Sequence, residues 1–418
     1  MSARPHHRTL DWLNFFLADV RDGLGPYLAI YLLIVQRWDE ASIGVVMSIG
    51  GIAGIVAQMP AGALIDRTRW KRGVMAAAAL LVTGGSLLLP WLPEFSLVAV
   101  VQAVTGAAGA LFPPAIAAVT LGLVGPRAFT RRIGRNESFN HAGNAVAAAL
   151  AGVAAYAFGP IAVFWLMTAM TVASVVAIWR IDGTAIDHDV ARGLDAETVP
   201  GDAHGREEPS SLRAILTCRP LLVFAVCVSL FHFANAAMLP LVGQKLALQD
   251  RNLGTTLMSL CIVAAQIVMV PVAALVGAKA DHWGRKPLFL AGFLILPIRG
   301  VLYTLSDAPY WLVGVQVLDG VGAGVFGALF PVVVADLTRG TGRFNVSQGA
   351  IATTQGIGAA LSTTVAGVIV VHGGYNAAFL SLAAVAGVGL ALFALAMPET
   401  RPDAEAAPAP PQPVERCS

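Results

Sequence analysis

Charge is scarce in this chain. Asp, Glu, Lys and Arg make up 12% of 418 residues, and the formal net charge is +2. A typical soluble domain carries roughly 25% charged residues. So small a net charge gives no electrostatic footprint for a nucleic acid. The four cysteines (Cys218, Cys227, Cys261, Cys417) have no CxxC or paired spacing, which argues against a disulfide framework and a thiolate metal site. There is no Walker A loop for ATP and no HExxH or GxSxG signature, so the sequence offers no primary pump, hydrolase, cofactor or metal reading. Gly322-Ala-Gly324-Val-Phe-Gly327 is a literal GxGxxG, but it lies in an apolar helical run with no preceding strand and reads as close helix packing. Asn136-Glu-Ser138 and Asn345-Val-Ser347 match a glycosylation pattern but fall at helix starts expected to be cytoplasmic.

What is abundant is apolar sequence. Hydrophobic residues reach 56% and the mean hydropathy is +0.71. The charges are clumped, leaving apolar stretches near the ~20 residues that cross a ~30 Å hydrocarbon core. Spans are expected at about 10–34, 41–63, 72–92, 96–121, 134–158, 160–181, 219–246, 254–278, 287–306, 311–337, 346–371 and 376–397. The expected fold is all-α and polytopic: twelve transmembrane helices in two pseudo-symmetric six-helix bundles. Its divisions are a first bundle at 1–181, a linker at 182–217, a second bundle at 218–397 and a disordered tail at 398–418. The linker is polar, with one amphipathic turn expected near Leu212–Leu216. The basic N-terminus, Met1 to Arg8, reads as a cytoplasmic tail and not a cleaved signal. Basic residues of the short loops, including Arg67, Arg69, Lys71, Arg72, Arg127, Arg131, Arg132, Lys279, Arg285 and Lys286, fall on one side. The positive-inside rule places that side, both termini and the linker in the cytoplasm of a multi-pass inner or plasma membrane protein.

The halves repeat each other. Gly62-Ala-Leu-Ile-Asp66-Arg67-Thr-Arg69-Trp-Lys71-Arg72 lies 215 residues before Gly277-Ala-Lys-Ala-Asp281-His-Trp-Gly284-Arg285-Lys286. Gly109-Ala-Leu-Phe-Pro113 matches Gly327-Ala-Leu-Phe-Pro331, and Gly143, Gly152 and Gly159 map onto Gly358, Gly367 and Gly374. Six spans per half give the copies the same membrane orientation, so the axis relating them should lie along the membrane normal.

These residues resemble the major facilitator superfamily along essentially the whole chain. Its loop signature, roughly G-x-x-x-D-R-x-G-[RK]-[RK], is matched by Gly277, Asp281, Gly284, Arg285 and Lys286, with His282 where Arg is usual. Gly62, Asp66, Arg67 and Lys71 match in the first copy, with Arg69 and Trp70 departing. The resemblance implies a secondary transporter in which these nine matched residues form a conformational gate, the Asp bridging helix ends across the halves. Two departures bear on the coupled reaction. Many members carry Arg four residues before a Gly in the fourth helix, where this chain has Gln102 before Gly106 and, in the repeat, Gln316 before Gly320. The Gly-Pro signature of drug antiporters is not placed as in that group, since Gly159-Pro160 ends the fifth helix.

Charges inside the spans narrow the chemistry. In the first helix Asp19 and Asp22 lie roughly 12 and 16 Å below the cytoplasmic surface at 1.5 Å per residue. Each charge there costs about 2.5–3.5 kcal/mol on insertion scales, so it must face a wet cavity or a partner. Asp19 and Asp22 share a face, and Arg21 points elsewhere. The two carboxylates are the first candidates for proton coupling, with His141 a third. The alternative is an internal salt-bridge cluster, such as Arg21 with Glu137. Glu137, Asn140, His141 and Asn144 form a polar face on the fifth helix: a substrate wall or a helix–helix hydrogen-bond seam. His232, Asn235, Gln348 and Gln355 are the second half's polar candidates. The substrate-cavity set is therefore Arg21, Asn140, Asn144, Asn235, Gln348 and Gln355. Arg299 and Asp319 come out at equal depth, about 12 Å from the outer surface, and read as a structural pair.

The leading expectation is proton-coupled efflux of a small cationic or amphiphilic solute by a monomer working through alternating access. The alternative is proton-linked uptake of a metabolite or metal chelate, and an anionic substrate would require Arg21 or Arg299 to face the cavity. A transport-dead membrane sensor is the reading from a different class.

Overall fold

The computed structural model describes residues 4–22, 24–91, 93–194, 217–249 and 251–402, and every regular element among them is helical. Twelve crossings follow. They are α1 (4–34, in two pieces, Arg4–Asp22 and Gly25–Ile34), α2 (Glu40–Arg67), α3 (Lys71–Leu88), α4 (95–124), α5 (126–158) and α6 (Ala162–Arg180). The second half holds α7 (219–249), α8 (Arg251–Trp283), α9 (Arg285–Leu302), α10 (Pro309–Leu337), α11 (344–373) and α12 (375–396). Eight continuous stretches among the described residues are long and apolar enough to cross a membrane, and 95–158 and 344–396 contain two helices each. α1 and α9, which carry intramembrane charges, fall outside that set.

Local chemistry sets the boundaries. Asp39 caps α2, its carboxylate accepting from Ser42 N at 2.9 Å. Gly159 (φ 82°, ψ 170°) ends α5 and Gly374 (φ 80°, ψ 175°) separates α11 from α12. These repeat-related positions share one backbone conformation that only glycine adopts without strain. The sharp reversal it makes joins the last two helices of each half.

Two expected boundaries are corrected. α5 begins near residue 126, not 134, because Gly125 (φ 72°) with Pro126 both breaks α4 and starts the next helix. The basic run Arg127–Arg135 is therefore the first turns of α5. The linker is also not uniformly without fixed structure. Residues 182–194 form two short 3-10 turns with Ile186, Val190 and Ala191 buried. Asp187 N donates to Gly122 O at 3.0 Å in the first half, and Gly340 N donates to Gly193 O at 2.7 Å in the second. Three apolar side chains and a handful of backbone bonds suffice here because the two bundles supply the core the segment lacks. The turn expected at Leu212–Leu216 and the tail from 403 lie outside the described residues. The first part of the expected tail is docked: the Glu399 carboxylate accepts from Arg285 N at 2.9 Å and Lys286 N at 3.1 Å, capping α9.

Each half has its own core. Leu10, Leu13, Leu17, Val20, Met75, Phe112 and Phe164 pack in the first. Phe224, Phe231, Phe289, Phe293, Phe326 and Phe393 build an aromatic core in the second. That second core also takes in Ala117, Leu121, Phe129 and Ile133 from α4 and α5. The halves thus share a continuous apolar seam on the side of the basic turns, where Phe129 meets Phe344 edge-on at 5.9 Å.

Candidate functional site

The seam is closed by backbone approaching backbone. A Cβ on Gly62 would lie 2.1 Å from Asn345 O, and one on Gly349 2.1 Å from Gln58 O, so α2 and α11 touch where each has no side chain. α5 and α8 do the same, a Cβ on Gly134 falling 2.4 Å from the Cα of Gly277. Ser138 Oγ donates to Val270 O at 3.0 Å across that pair. Further along the same helices, Gly51, Gly152 and Gly367 have open space around them.

Asp66 sits at the centre of the closed side. Its buried carboxylate accepts from Asn345 N at 3.1 Å, Asn345 Nδ2 at 2.8 Å and Val346 N at 2.8 Å. A side chain of the first half therefore caps the first turn of α11 in the second, where free N–H groups and the helix dipole favour an anion. Asn345 Nδ2 also donates to Ala191 O at 3.0 Å, tying the docked linker to the same point. The repeat-related Asp281 does something different. It is 45% exposed and pairs within its own half with Arg285 at 2.9 Å. Arg285 is the residue that reaches across, donating to Thr130 Oγ1 at 3.1 Å while also holding Asp336 at 3.0 Å. Of the other gate candidates, Lys71 is buried and donates to Thr68 O at 2.7 Å, Arg67 is exposed, Gly284 (φ 89°) is the turn before α9, and Lys286 offers its backbone N–H to Glu399.

Between the halves, beyond this seal, lies a cavity of about 620 Å³. Its polar wall is Arg21, Gln58, Gln102 and Glu137 from the first half with Gln348 and Gln355 from the second, and Phe326, Phe330 and Pro331 give it an apolar side. A side chamber of about 260 Å³ shares Arg21, Glu137, Phe326 and Gly327 and adds Asn140, His141, Asn144, His232, Asn235 and Gln266. Within it His141 Nδ1 meets Gln266 Oε1 at 2.9 Å, and Asn140 Nδ2 donates to Glu137 Oε2 at 3.2 Å.

The face of α1 differs from the expected one. Arg21 lines both chambers, whereas Asp19, half-buried and partnered, lines neither. The side chain of Asp22 lies outside the described residues. Arg299 and Asp319 form an ion pair at 2.5 Å away from the cavity wall, and Asn235 and Gln316 complete the cluster. Arg21 and Glu137 are not joined by an ion pair although they share both chambers. Sequence reasoning passed over three participants. Gln58 carried no local signal. Gln102 stands out in the sequence only as a departure from a family pattern, and its repeat-related partner Gln316 is buried in the Arg299 cluster. Asp11, buried at the start of α1, holds Arg132 and Arg135 at 2.6 Å each and fixes α1 to α5; its only signal was a basic run of matching depth.

Two six-helix bundles around a polar cavity, sealed at one end by contacts between the bundles, define a multi-pass membrane transporter. The family model described as Major Facilitator Superfamily matches residues 11–297 and, in a second match, 224–416. An uncharacterised MFS-type transporter of Mycobacterium tuberculosis strain H37Rv is 61% identical over 393 residues, covering 94% of this chain and 93% of the relative. The chain belongs to the Major Facilitator Superfamily and is a secondary transporter of that family. Among solved structures, the human organic anion transporter MFSD10 aligns with TM-score 0.68 at 14% identity, covering 94% of this chain and all of that one. The proton:xylose symporter XylE aligns with TM-score 0.69 at 14% identity over 95% and 96% of the two chains. FucP, solved in an outward conformation, gives 0.68 at 15% identity over 94% and 100%. At these identities the likeness is one of fold.

Proposed function

We propose that this protein carries a small polar organic solute across the plasma membrane by alternating access, with the cavity at Arg21 and Glu137 as its binding site. One observation carries the reading: polar side chains from both halves converge on one cavity that is sealed, at the end of the basic turns, by contacts between the halves. Moving one bundle against the other would break those contacts and transfer access to the other side. With the basic turns in the cytoplasm, by the positive-inside rule, the sealed end is cytoplasmic and the conformation outward-facing. Asp66 is then the latch of that state, and Arg285 on Thr130 a second, weaker one.

Protons remain the proposed coupling ion, and the reading is supported by Glu137 and His141 among the side chains that line the two chambers. Efflux of a cationic or amphiphilic compound is the expectation from an acidic wall at Asp19 and Asp22. The described wall instead carries one guanidinium, one carboxylate, two imidazoles and a set of amides and hydroxyls. That favours uptake of a hydrophilic solute. We take the monomer as the functional unit, since one chain encloses the cavity.

The test is counterflow and pH-driven uptake in proteoliposomes, using radiolabelled amino acids, hydroxy acids, sugars and a lipophilic cation, with a lumenal pH dye. Saturable solute uptake with acidification of the lumen is expected. Ligand binding without flux of any member would leave a sensor and refute transport.

A further inference from the structure

The buried arginines of this chain share one habit. Arg132 holds Asp11 at 2.6 Å, Arg285 holds Asp281 at 2.9 Å and Arg299 holds Asp319 at 2.5 Å. Each guanidinium removed from water has been given a carboxylate from the chain itself, as a buried cation requires. Arg21 breaks the habit. It is half-buried at membrane depth on the wall of both chambers, and it makes no hydrogen bond or ion pair with any described residue.

Glu137 is its counterpart. One carboxylate oxygen accepts from Asn140 Nδ2 at 3.2 Å, and the other has no partner among the described residues. Gly327 lies against the oxygen bonded to Asn140, a Cβ there standing 3.4 Å from Glu137 Oε2. Arg21, with no partner among the described residues, and the half-used Glu137 therefore face the same cavity without pairing with each other. Around them Gln58, Gln102, Gln348 and Gln355 present neutral donors and acceptors, and Phe326 stacks on Phe330 at 5.4 Å to close one side.

We propose that the transported solute carries a carboxylate, gripped by Arg21, and a hydrogen-bond donor group at its other end, received by Glu137. The planar guanidinium fork matches a carboxylate in two parallel bonds, which an ammonium or an amide cannot reproduce. A carboxylate acceptor rewards an ammonium or hydroxyl donor and repels a second anion. The amides contribute orientation and tolerate polar substituents in between. A simple cation is disfavoured because it must enter beside Arg21, and a dianion because it must end beside Glu137. The volume, about 620 Å³ with 260 Å³ beside it, falls in the usual range for small-molecule sites, roughly 300–1,000 Å³. This assignment rests on the transport reading above, but its test separates the two.

The experiment is ligand-induced thermal stabilisation of the purified full-length protein in detergent, using one carbon skeleton with varied ends: hexanoate, 6-aminohexanoate, 6-hydroxyhexanoate, hexylamine, hexane-1,6-diol and hexanedioate. A ligand that binds only the folded state raises the melting temperature in proportion to its affinity. Stabilisation by 6-aminohexanoate and 6-hydroxyhexanoate is expected, weaker stabilisation by hexanoate, and none by the amine, the diol or the diacid. R21K should weaken carboxylate binding at least about tenfold, the loss of a bidentate charged contact, and R21Q should abolish it. E137Q should retain hexanoate and lose the preference for 6-aminohexanoate over it. Because R21Q can fail to fold, R21K and the ligand-free melting temperature serve as the control. Stabilisation by hexylamine, no stabilisation by any carboxylate, or carboxylate binding unchanged in R21K would each overturn the assignment. In proteoliposomes, carboxylate binding without flux keeps the assignment and sinks transport. Arg21-independent flux of a neutral or cationic solute keeps transport and sinks the assignment.

Discussion

Asp66→Asn is the perturbation that reports most directly on the latch. The substitution keeps size and one carbonyl oxygen, so an acceptor for Asn345 survives. It replaces the oxygen that accepts from Val346 N at 2.8 Å with an amide donor and removes the negative charge at the start of α11. Leaving that buried N–H without an acceptor costs about 1–3 kcal/mol. Losing a carboxylate at a helix N-terminus costs about 0.3–1 kcal/mol, and up to ~2 when partly buried. Both losses fall on the conformation in which α2 meets α11, since Asp66 and Asn345 belong to different halves. A differential of about 2–4 kcal/mol shifts the equilibrium roughly 30- to 1,000-fold away from the sealed state. Spin labels at Arg69 and Trp283, exposed and in different halves, report the separation of the basic-turn side by double electron–electron resonance on a cysteine-free background. A longer distance should dominate in the variant. Distance distributions indistinguishable from those of the parent would refute the latch and reduce Asp66 to a helix stop.

Three further outcomes are expected. Gly62→Ala places a methyl 2.1 Å from Asn345 O, so it should open the same seal with the carboxylate intact, read by the same label pair. Arg299→Met leaves the partly buried Asp319 without its cation and should destabilise the protein by up to about 3–5 kcal/mol, whereas Arg299→Met with Asp319→Leu should recover most of that loss in thermal denaturation. His188, in the docked linker, has its pKa pushed below the usual histidine value by burial, and next by Lys71 and Arg69. A lowered folded value means the docked segment binds fewer protons than the free one, so docking should be fully stable above the ordinary value near 6.5 and weaken as pH falls below it. Amide protection factors of residues 186–193, which are exchange rates divided by the intrinsic rate at each pH, should therefore fall between pH 7.5 and pH 5.5 in the parent and not in His188→Gln.

What the sequence by itself determined is the class and the count. Twelve apolar runs, sparse clumped charge and two copies of one turn define two six-helix bundles, because each follows from the cost of polar groups in hydrocarbon. It also put Arg299 level with Asp319, since depth along a helix is 1.5 Å per residue whatever the helix packs against. Rotation about the helix axis has no such rule. At about 100° per residue Arg21 and Asp19 point apart, and only the packing of α1 against α5, held by Asp11 on Arg132 and Arg135, decides which of them meets the cavity. Contacts between the halves were equally beyond local reading. Asp66 and Asp281 stand in the same motif, yet one caps a helix of the opposite bundle and the other pairs within its own. Gln102 and Gln316 occupy equivalent places, yet one lines the cavity and the other is buried beside Arg299. Duplicated sequence fixes equivalent backbones, but a side chain's partner is set by what the other bundle brings to it, and that exists only in the assembled structure.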